Sequence, residues 1–461
     1  MAAMLLAADL GGAAHAAAQD APHVEMEAIA VLGFAPICHV VCGDADRDQH
    51  AELYLHGLDS LGHAQPYALE YATGYRFDTV PLSLERMDLW AIGDGDRDLR
   101  ADLVAQWGPL RVYEGASDTS LPAVLVWEDA VPSHYVAFPV FADLDCDSAP
   151  EIVTKGRDQY VVDLYETSGD NSYERVEEVA THWGLPYGFG VAHDMDGDGR
   201  PELAVGTDVG YVELFEAVAD DSLAFVAYDS TAFEYELRAV AGADDMDRDG
   251  HPECVAVAVL CDGVGVVLVY ESPSSDTLVP VWTADIDPGY FGESTVSVGD
   301  VDGDSVQEFV VADGRHLRLY KCTGNDEYQE IWSIPGYAYE VALYDIDDDG
   351  RDELIHRTGA YETTIRRYVE VGVAEREIRR LEGVQVTPTL VRPGEVVRLD
   401  GTESRFSVQV LDAAGRVVAE PVDGVWRTDG VSPGVYFFRF GPSAARCQPS
   451  AVSARKVLVV E

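Results

Sequence analysis

Positive charge is scarce in this chain. It has three lysines, Lys155, Lys321 and Lys456, and only 31 Lys+Arg against 83 Asp+Glu. The formal charge is −52 and the pI is near 4.3. Phosphate neutralisation needs a surplus of Lys and Arg, so nucleic-acid binding is excluded. Docking on anionic lipid is excluded on the same ground. No stretch approaches the ~18 consecutive apolar residues of a membrane helix. Helical periodicity is nearly absent. Catalytic signatures are missing too: there is no H-E-x-x-H, no G-x-S-x-G and no Walker loop. The seven cysteines, Cys38, Cys42, Cys146, Cys254, Cys261, Cys322 and Cys447, are scattered and odd in number. They form no paired C-x-x-C zinc motif and read as buried apolar thiols. Disorder is excluded as well, because 47% of the residues are hydrophobic and 10% aromatic.

What is present is a repeat with a period near fifty. Seven segments place acids at positions one, three, five and nine of a short loop. They are Asp44, Asp46, Asp48 and Glu52; Asp94, Asp96, Asp98 and Asp102; Asp143, Asp145, Asp147 and Glu151; Asp194, Asp196, Asp198 and Glu202; Asp245, Asp247, Asp249 and Glu253; Asp300, Asp302, Asp304 and Glu308; and Asp345, Asp347, Asp349 and Glu353. With 83 acids in 461 residues, such a four-acid pattern arises by chance roughly 0.5 times in a chain of this length. Seven evenly spaced copies are therefore not a product of composition.

The flanks repeat with the loops. An apolar run such as 37–41 or 341–344 precedes each loop. A second run opens after it, at Leu53, Leu103, Ile152, Leu203, Cys254, Phe309 and Leu354. A turn containing glycine leads to a third run, such as 211–215 or 317–320, and then a fourth, such as 224–228 or 330–334. Four short strands per unit is the pattern of a propeller blade. The expected fold is all-β: a seven-bladed β-propeller followed by a small β-sandwich. Residues 24–32 precede the first unit and are expected to complete the last blade, because an open ring leaves two unpaired sheet edges.

Acids at alternate positions of a tight loop converge on one point, and the carbonyl of position seven completes an oxygen cage. Hard oxygen donors without His or Cys select Ca²⁺ over transition metals, and Mg²⁺ prefers fewer protein ligands and retained waters. Without a cation, four neighbouring carboxylates repel one another. Up to seven calcium ions are expected. Position six is Gly199, Gly250 or Gly350 in three loops and Gln49, Leu99, Ser148 or Ser305 in the others. If that position requires positive φ, glycine takes it freely. The loops at 194, 245 and 345 are then the tightest, and the loop at 94 is the weakest.

The units resemble FG-GAP/VCBS repeats, as in the β-propeller of integrin α subunits. The matching features are Phe291 and Gly292 ahead of Asp300, and Phe189 and Gly190 ahead of Asp194. The resemblance spans roughly residues 24–383. It implies that the loop carboxylates bind Ca²⁺ and that seven repeats close a ring.

Charge changes sharply after the seventh unit. Residues 384–461 hold 8 acids and 9 Lys+Arg, so the remainder of the chain carries −53. That shift sets domains at 19–383 and 384–461. Strands are expected near 396–399, 406–411, 417–420, 435–440 and 456–460, in an antiparallel sandwich. Around Asp412, Gly415 and Arg416, at Ser432, Pro433, Gly434, Val435 and Tyr436, and at Arg455 and Lys456, the tail resembles the Ig-like C-terminal sorting domain of type IX secretion, or the related FlgD-like module. Residues 1–18 are apolar and end in an A-x-A pattern at Ala16 and Ala18, as a secretory signal peptide does.

The expected protein is a secreted or cell-surface, calcium-binding adhesion scaffold without enzymatic activity. It would bind a protein or glycan ligand on one ring face and be anchored by its tail. The alternative is a calcium-dependent polysaccharide lyase on a propeller. Such an enzyme needs a basic residue in a cleft. His193 beside Asp194 reads instead as a structural or solvent-facing residue, and His50, His56 and His63 read as surface residues. Trp90, Trp107, Trp127, Trp183, Trp282 and Trp332 read as blade core.

Overall fold

The computed structural model describes residues 24–36, 40–58, 61–84, 88–106, 108–129, 139–156, 158, 160–232, 235–260, 264–274, 277–287, 295–336 and 340–369, and parts of 385–459. The chain divides into two compact units, Met1–Val369 and Glu370–Glu461. The sequence boundary at 383/384 and the signal-like segment 1–18 lie outside the described residues. So do Cys38, Cys261, Cys447, Trp107, Phe291 and Gly292.

The first unit is a seven-bladed β-propeller built of four-stranded antiparallel sheets. Blade one comprises β2 (Val41–Gly43), β3 (Glu52–Leu58), β4 (Ala64–Tyr71) and β5 (Phe77–Pro81). Blade two comprises β6 (Asp88–Gly93), β7 (Asp102–Gln106), β8 (Leu110–Gly115) and β9 (Pro122–Glu128). Blade three comprises β10 (Val140–Ala142), β11 (Glu151–Lys155), β12 (Val161–Gly169) and β13 (Ser172–Ala180). Blade four comprises β14 (Pro186–Ala192), β15 (Glu202–Thr207), β16 (Val212–Ala219) and β17 (Ser222–Asp229). Blade five comprises β18 (Glu236–Gly242), β19 (Cys254–Val259), β20 (Gly265–Glu271) and β21 (Val279–Ile286). Blade six comprises β22 (Thr295–Gly299), β23 (Glu308–Ala312), β24 (His316–Gly324) and β25 (Glu327–Pro335). Blade seven has β26 (Val341–Tyr344), β27 (Glu353–Gly359) and β28 (Glu362–Val369), and its outer strand is β1 (Glu25–Leu32).

That outer strand closes the ring as expected: β1 pairs antiparallel with β28, from Glu25 opposite Val369 to Leu32 opposite Thr363. The core confirms closure. Apolar side chains fill every junction between successive blades, because strand residues alternate between the two faces of a sheet. In β15, Leu203 and Val205 face blade three while Ala204 faces blade five. In β23, Phe309 and Val311 face blade five while Val310 and Ala312 face blade seven. At the seam, Leu53, Leu55 and Leu69 of blade one pack on Ile346, Ile355 and Ile365 of blade seven. The seven residues that follow position nine are all fully buried. Glycine brings blades four and five close together, since a Cβ on Gly242 would overlap the Val191 carbonyl and the Ala192 Cα.

Some residues depart from expectation. His56 is buried in β3 rather than exposed, because neighbouring blades cover both faces of that strand and every residue from Glu52 to Gly57 is buried. Cys146 is exposed, since it sits in a loop and not in a strand; Cys254 is buried, and Cys42 and Cys322 are half-buried. Trp90 and Trp332 are core residues. Trp127 packs on Tyr165 and Tyr173, and Trp282 on Tyr320 and Tyr328, across blade junctions.

In the second unit, β29 (Gln385–Thr387), β31 (Val396–Asp400) and β34 (Val425–Arg427) form one sheet. The other contains β30 (Leu390–Val391), β32 (Phe406–Asp412), β33 (Val417–Ala419), β35 (Gly434–Pro442) and β36 (Ala454–Val459). Trp426 of the first sheet lies 5.4 Å from Tyr436 of the second. The expected strands are present, but the arrangement is not purely antiparallel: β30 runs parallel to β36, Leu390 opposite Leu458.

Candidate metal centres

Each acidic loop joins the first strand of a blade to the second, so all seven sit at the same end of their blades. The structure brings together the four acids of each loop by one repeated set of hydrogen bonds. The backbone N–H of position two donates to the position-nine carboxylate: Ala45 to Glu52 at 2.8 Å, Gly95 to Asp102 at 2.9 Å, Leu144 to Glu151 at 2.9 Å and Met195 to Glu202 at 2.8 Å. Met246 donates to Glu253 at 2.7 Å, Val301 to Glu308 at 3.0 Å and Ile346 to Glu353 at 3.2 Å. The N–H of position six donates to the position-one carboxylate in every loop, as Leu99 does to Asp94 at 3.1 Å and Gly199 to Asp194 at 2.8 Å. In six loops the N–H of position seven donates to position five, as His50 does to Asp48 at 2.9 Å.

This winding requires left-handed backbone at two places. Position six has positive φ in all seven loops, from Ser305 at 63° to Gly250 at 104°. Leu99 adopts φ 76° despite its Cβ. Position four is also left-handed throughout, at Arg47, Arg97, Cys146, Gly197, Arg248, Gly303 and Asp348. No residue preference marks that position in the sequence.

Position nine is the buried floor of each cage. Glu52, Asp102, Glu151, Glu202, Glu253, Glu308 and Glu353 are each at most 1% exposed. Burial, opposed by the position-two N–H and reinforced by the other loop acids, pushes Glu52, Glu202 and Glu353 up to about 8. It pushes Glu151 and Glu253 up to about 7, and Asp102 likewise from 3.8. Several inward oxygens accept no hydrogen bond: Oδ1 of Asp94, Asp143 and Asp194 at position one; Oδ1 of Asp46, Asp302 and Asp347 at position three; and the second oxygens of Glu52, Asp102, Glu202 and Glu353 at position nine. Buried carboxylate oxygens without donors are costly, and a hard cation supplies what they lack. In the first loop, Asp44, Asp46, Asp48 and Glu52 each offer an oxygen within 4.8 Å of the others. The residues present thus fit a divalent ion held by oxygen.

The next blade supports each of several cages, which the loop motif alone did not reveal. Tyr173 of blade three donates to Asp102 of blade two at 2.7 Å, and Tyr328 of blade six to Glu253 of blade five at 2.6 Å. Two-residue hairpin turns cap position three from the neighbouring blade: Asn171 N–H to Asp96 at 2.6 Å, Asp221 N–H to Asp145 at 3.0 Å and Asp326 N–H to Asp247 at 2.8 Å. Tyr75 of blade one donates to Asp347 of blade seven at 3.0 Å.

Basic side chains near the loops have partners of their own. His193 is exposed and pairs with Asp244 at 3.2 Å. His50 pairs with Asp48 at 3.3 Å. Lys155 lies over the Tyr187 ring at 5.5 Å, with Arg238 at 4.9 Å on the same ring.

No protein-family model matches the chain. Among solved structures it is similar to BBS1N, in a mercury-soaked crystal of BBS1N in complex with ARL6DN. Identity is 11%, the TM-score is 0.50, and the match covers 74% of this chain and 96% of that one. A lead-soaked crystal of the same complex matches at TM-score 0.49 with 11% identity over 74% and 96% of the two chains. A chain of the Mitotic Checkpoint Complex matches at TM-score 0.49 with 12% identity over 80% and 98%. At such identity the likeness to BBS1N bears on the propeller fold alone.

Proposed function

We propose that this protein is a secreted or cell-surface scaffold whose propeller binds calcium through its seven acidic loops and presents a ring face to a protein or glycan partner. It performs no catalysis in this reading. The carrying observation is the repeated cage: six of the seven acidic loops keep at least one buried carboxylate oxygen without a hydrogen-bond donor. The ions would rigidify the loops at one end of the ring, and the FG-GAP/VCBS resemblance supports the same assignment. BBS1N, a propeller of similar fold, was crystallised with ARL6DN, which fits a propeller that binds a protein. The tail, with its resemblance to an Ig-like sorting module, would serve export or anchoring.

Thermal unfolding with and without calcium tests the reading. A ligand that binds only the folded state stabilises it by about 2.7 kcal/mol per site at a hundred times its dissociation constant. Several sites together should raise the midpoint by many degrees. An unchanged midpoint after chelation refutes the assignment. Binding of a glycan or protein array member without turnover would separate the scaffold from a polysaccharide lyase.

A further inference from the structure

The residue paired across the sheet from position nine differs in charge from blade to blade. Glu70 lies opposite Glu52, Glu114 opposite Asp102 and Glu216 opposite Glu202. The register of Ile152 with Tyr165 and of Cys254 with Tyr270 gives Glu166 and Glu271 the same place in blades three and five. In blade six that place belongs to Lys321, next to the pair Phe309–Tyr320. These side chains reach the cages. Glu70 faces Asp46 and Asp48, Glu114 faces Asp96 and Asp98, and Glu216 faces Asp196 and Asp198. Glu114 and Glu271 are 3% and 4% exposed, and each keeps one oxygen that accepts no hydrogen bond.

Lys321 stands where blades one to five carry an acid, and its ammonium is inside the sixth cage. Nζ donates to Asp302 at 2.8 Å, to Asp304 at 2.8 Å and to Glu308 at 2.6 Å. An ammonium has three donors, so all are used on three of the four loop acids. A divalent ion in the same cage would meet a like charge at a few ångströms, where repulsion is strong in a half-buried site. In blade seven Arg367 occupies the cross-strand place but stops at Tyr75, 3.0 Å from its hydroxyl, and leaves the cage to its own acids.

We propose that Lys321 is a tethered cation that replaces the diffusible ion in the sixth cage. Whether a cross-strand cation reaches the loop acids therefore decides what neutralises the loop: Lys321 reaches them and Arg367 does not. This rests on the calcium reading above, and it reduces the ion complement from seven to six. Blade six, next to the seam where β1 closes the ring, is then held without metal.

The test is the calcium content of the full-length chain, measured by equilibrium dialysis and elemental analysis. Lys321→Met should bind one ion more than the unaltered protein, and Glu216→Lys one fewer. The reciprocal variant keeps the proposal falsifiable if Lys321→Met does not fold. Calcium binding to the unaltered chain with the same count in either variant overturns the assignment of Lys321 alone. No binding by the unaltered chain or by Lys321→Met overturns the calcium reading, and this inference with it.

Discussion

Removing calcium should make the stability of the propeller fall as pH rises, the reverse of what its acidity suggests. Glu52, Glu202 and Glu353 are buried on three different blades and pushed from 4.5 up to about 8. The metal-free fold favours their protonated forms. The stability they contribute is complete below about 4.5 and is lost as pH climbs through about 8. Between those limits the unfolded chain has released protons that the fold retains. Each such proton costs about 1.4 kcal/mol per pH unit. Three groups together cost about 4 kcal/mol per unit, a large part of the ~5–15 kcal/mol that holds a domain folded. Bound calcium would abolish that slope, because it would hold the carboxylates ionised in the fold as they already are in the unfolded chain. Urea midpoints at pH 6, 7 and 8, in calcium-free buffer and in saturating calcium, report the difference, with Trp127 and Trp282 at the blade junctions as fluorescent probes. Glu202→Gln should remove one group's share, about 1.4 kcal/mol per pH unit, from the calcium-free slope. Parallel pH profiles with and without calcium, or a calcium-free midpoint that rises with pH, refute the reasoning.

Three further outcomes follow from local geometry. Tyr328→Phe removes the hydroxyl that donates to Glu253 at 2.6 Å, and should cost about 1–3 kcal/mol in urea denaturation by leaving a buried carboxylate short of a donor; a cycle with Glu253→Gln should show strong coupling. Leu99→Gly should stabilise the protein by roughly 0.5–1 kcal/mol, since the left-handed backbone at φ 76° costs a residue with a Cβ roughly 1–2 kcal/mol and the freer unfolded glycine offsets part of it; a lower midpoint would contradict this. Gly242→Ala should destabilise by about 1–3 kcal/mol, because its Cβ would overlap the backbone of Val191 and Ala192 in blade four; an unchanged melting curve would show that the two blades separate easily.

The propeller was legible because two signals agree. Alternation of period two marks the strands, and the nine-residue acidic loop marks the same point in every blade. The strand before the first loop was legible from the edge that an open ring would leave, and β1 pairs with β28 accordingly. The loop acids themselves were legible from spacing alone. Their supports were not, because those come from the neighbouring blade. Asn171 reaches Asp96 across 75 residues, Asp221 reaches Asp145 across 76 and Asp326 reaches Asp247 across 79. That near-constant offset of one and a half repeats was a usable signal, and so were Tyr173 and Tyr328, each placed just after its turn. Position four carried none, since Arg, Cys, Gly and Asp all occupy it with positive φ. Lys321 was visible only as a rare lysine until the register set it opposite position nine.

The cages are junction features as much as loop features, and that decides where loss of the ion would be felt. Donors from blade three hold Asp96 and Asp102 of blade two, and donors from blade six hold Asp247 and Glu253 of blade five. Facing carboxylates add to the strain there: Glu166 meets Asp221 of blade four, Glu271 meets Asp326 of blade six, and burial together with that facing carboxylate pushes each Glu up to about 8. In the metal-free molecule the repulsion therefore acts between blades as well as within each loop. At the sixth cage Lys321 cancels it, and at the seventh Arg367 approaches through Tyr75. Lys321 and Arg367 thus put cations beside the loops of the two blades that contact β1, as Arg100 does in blade two, 2.9 Å from Glu114 and 3.4 Å from Asp98. A ring organised this way would loosen first at the junctions of blades two with three, three with four and five with six, while β1 and β28 stay paired.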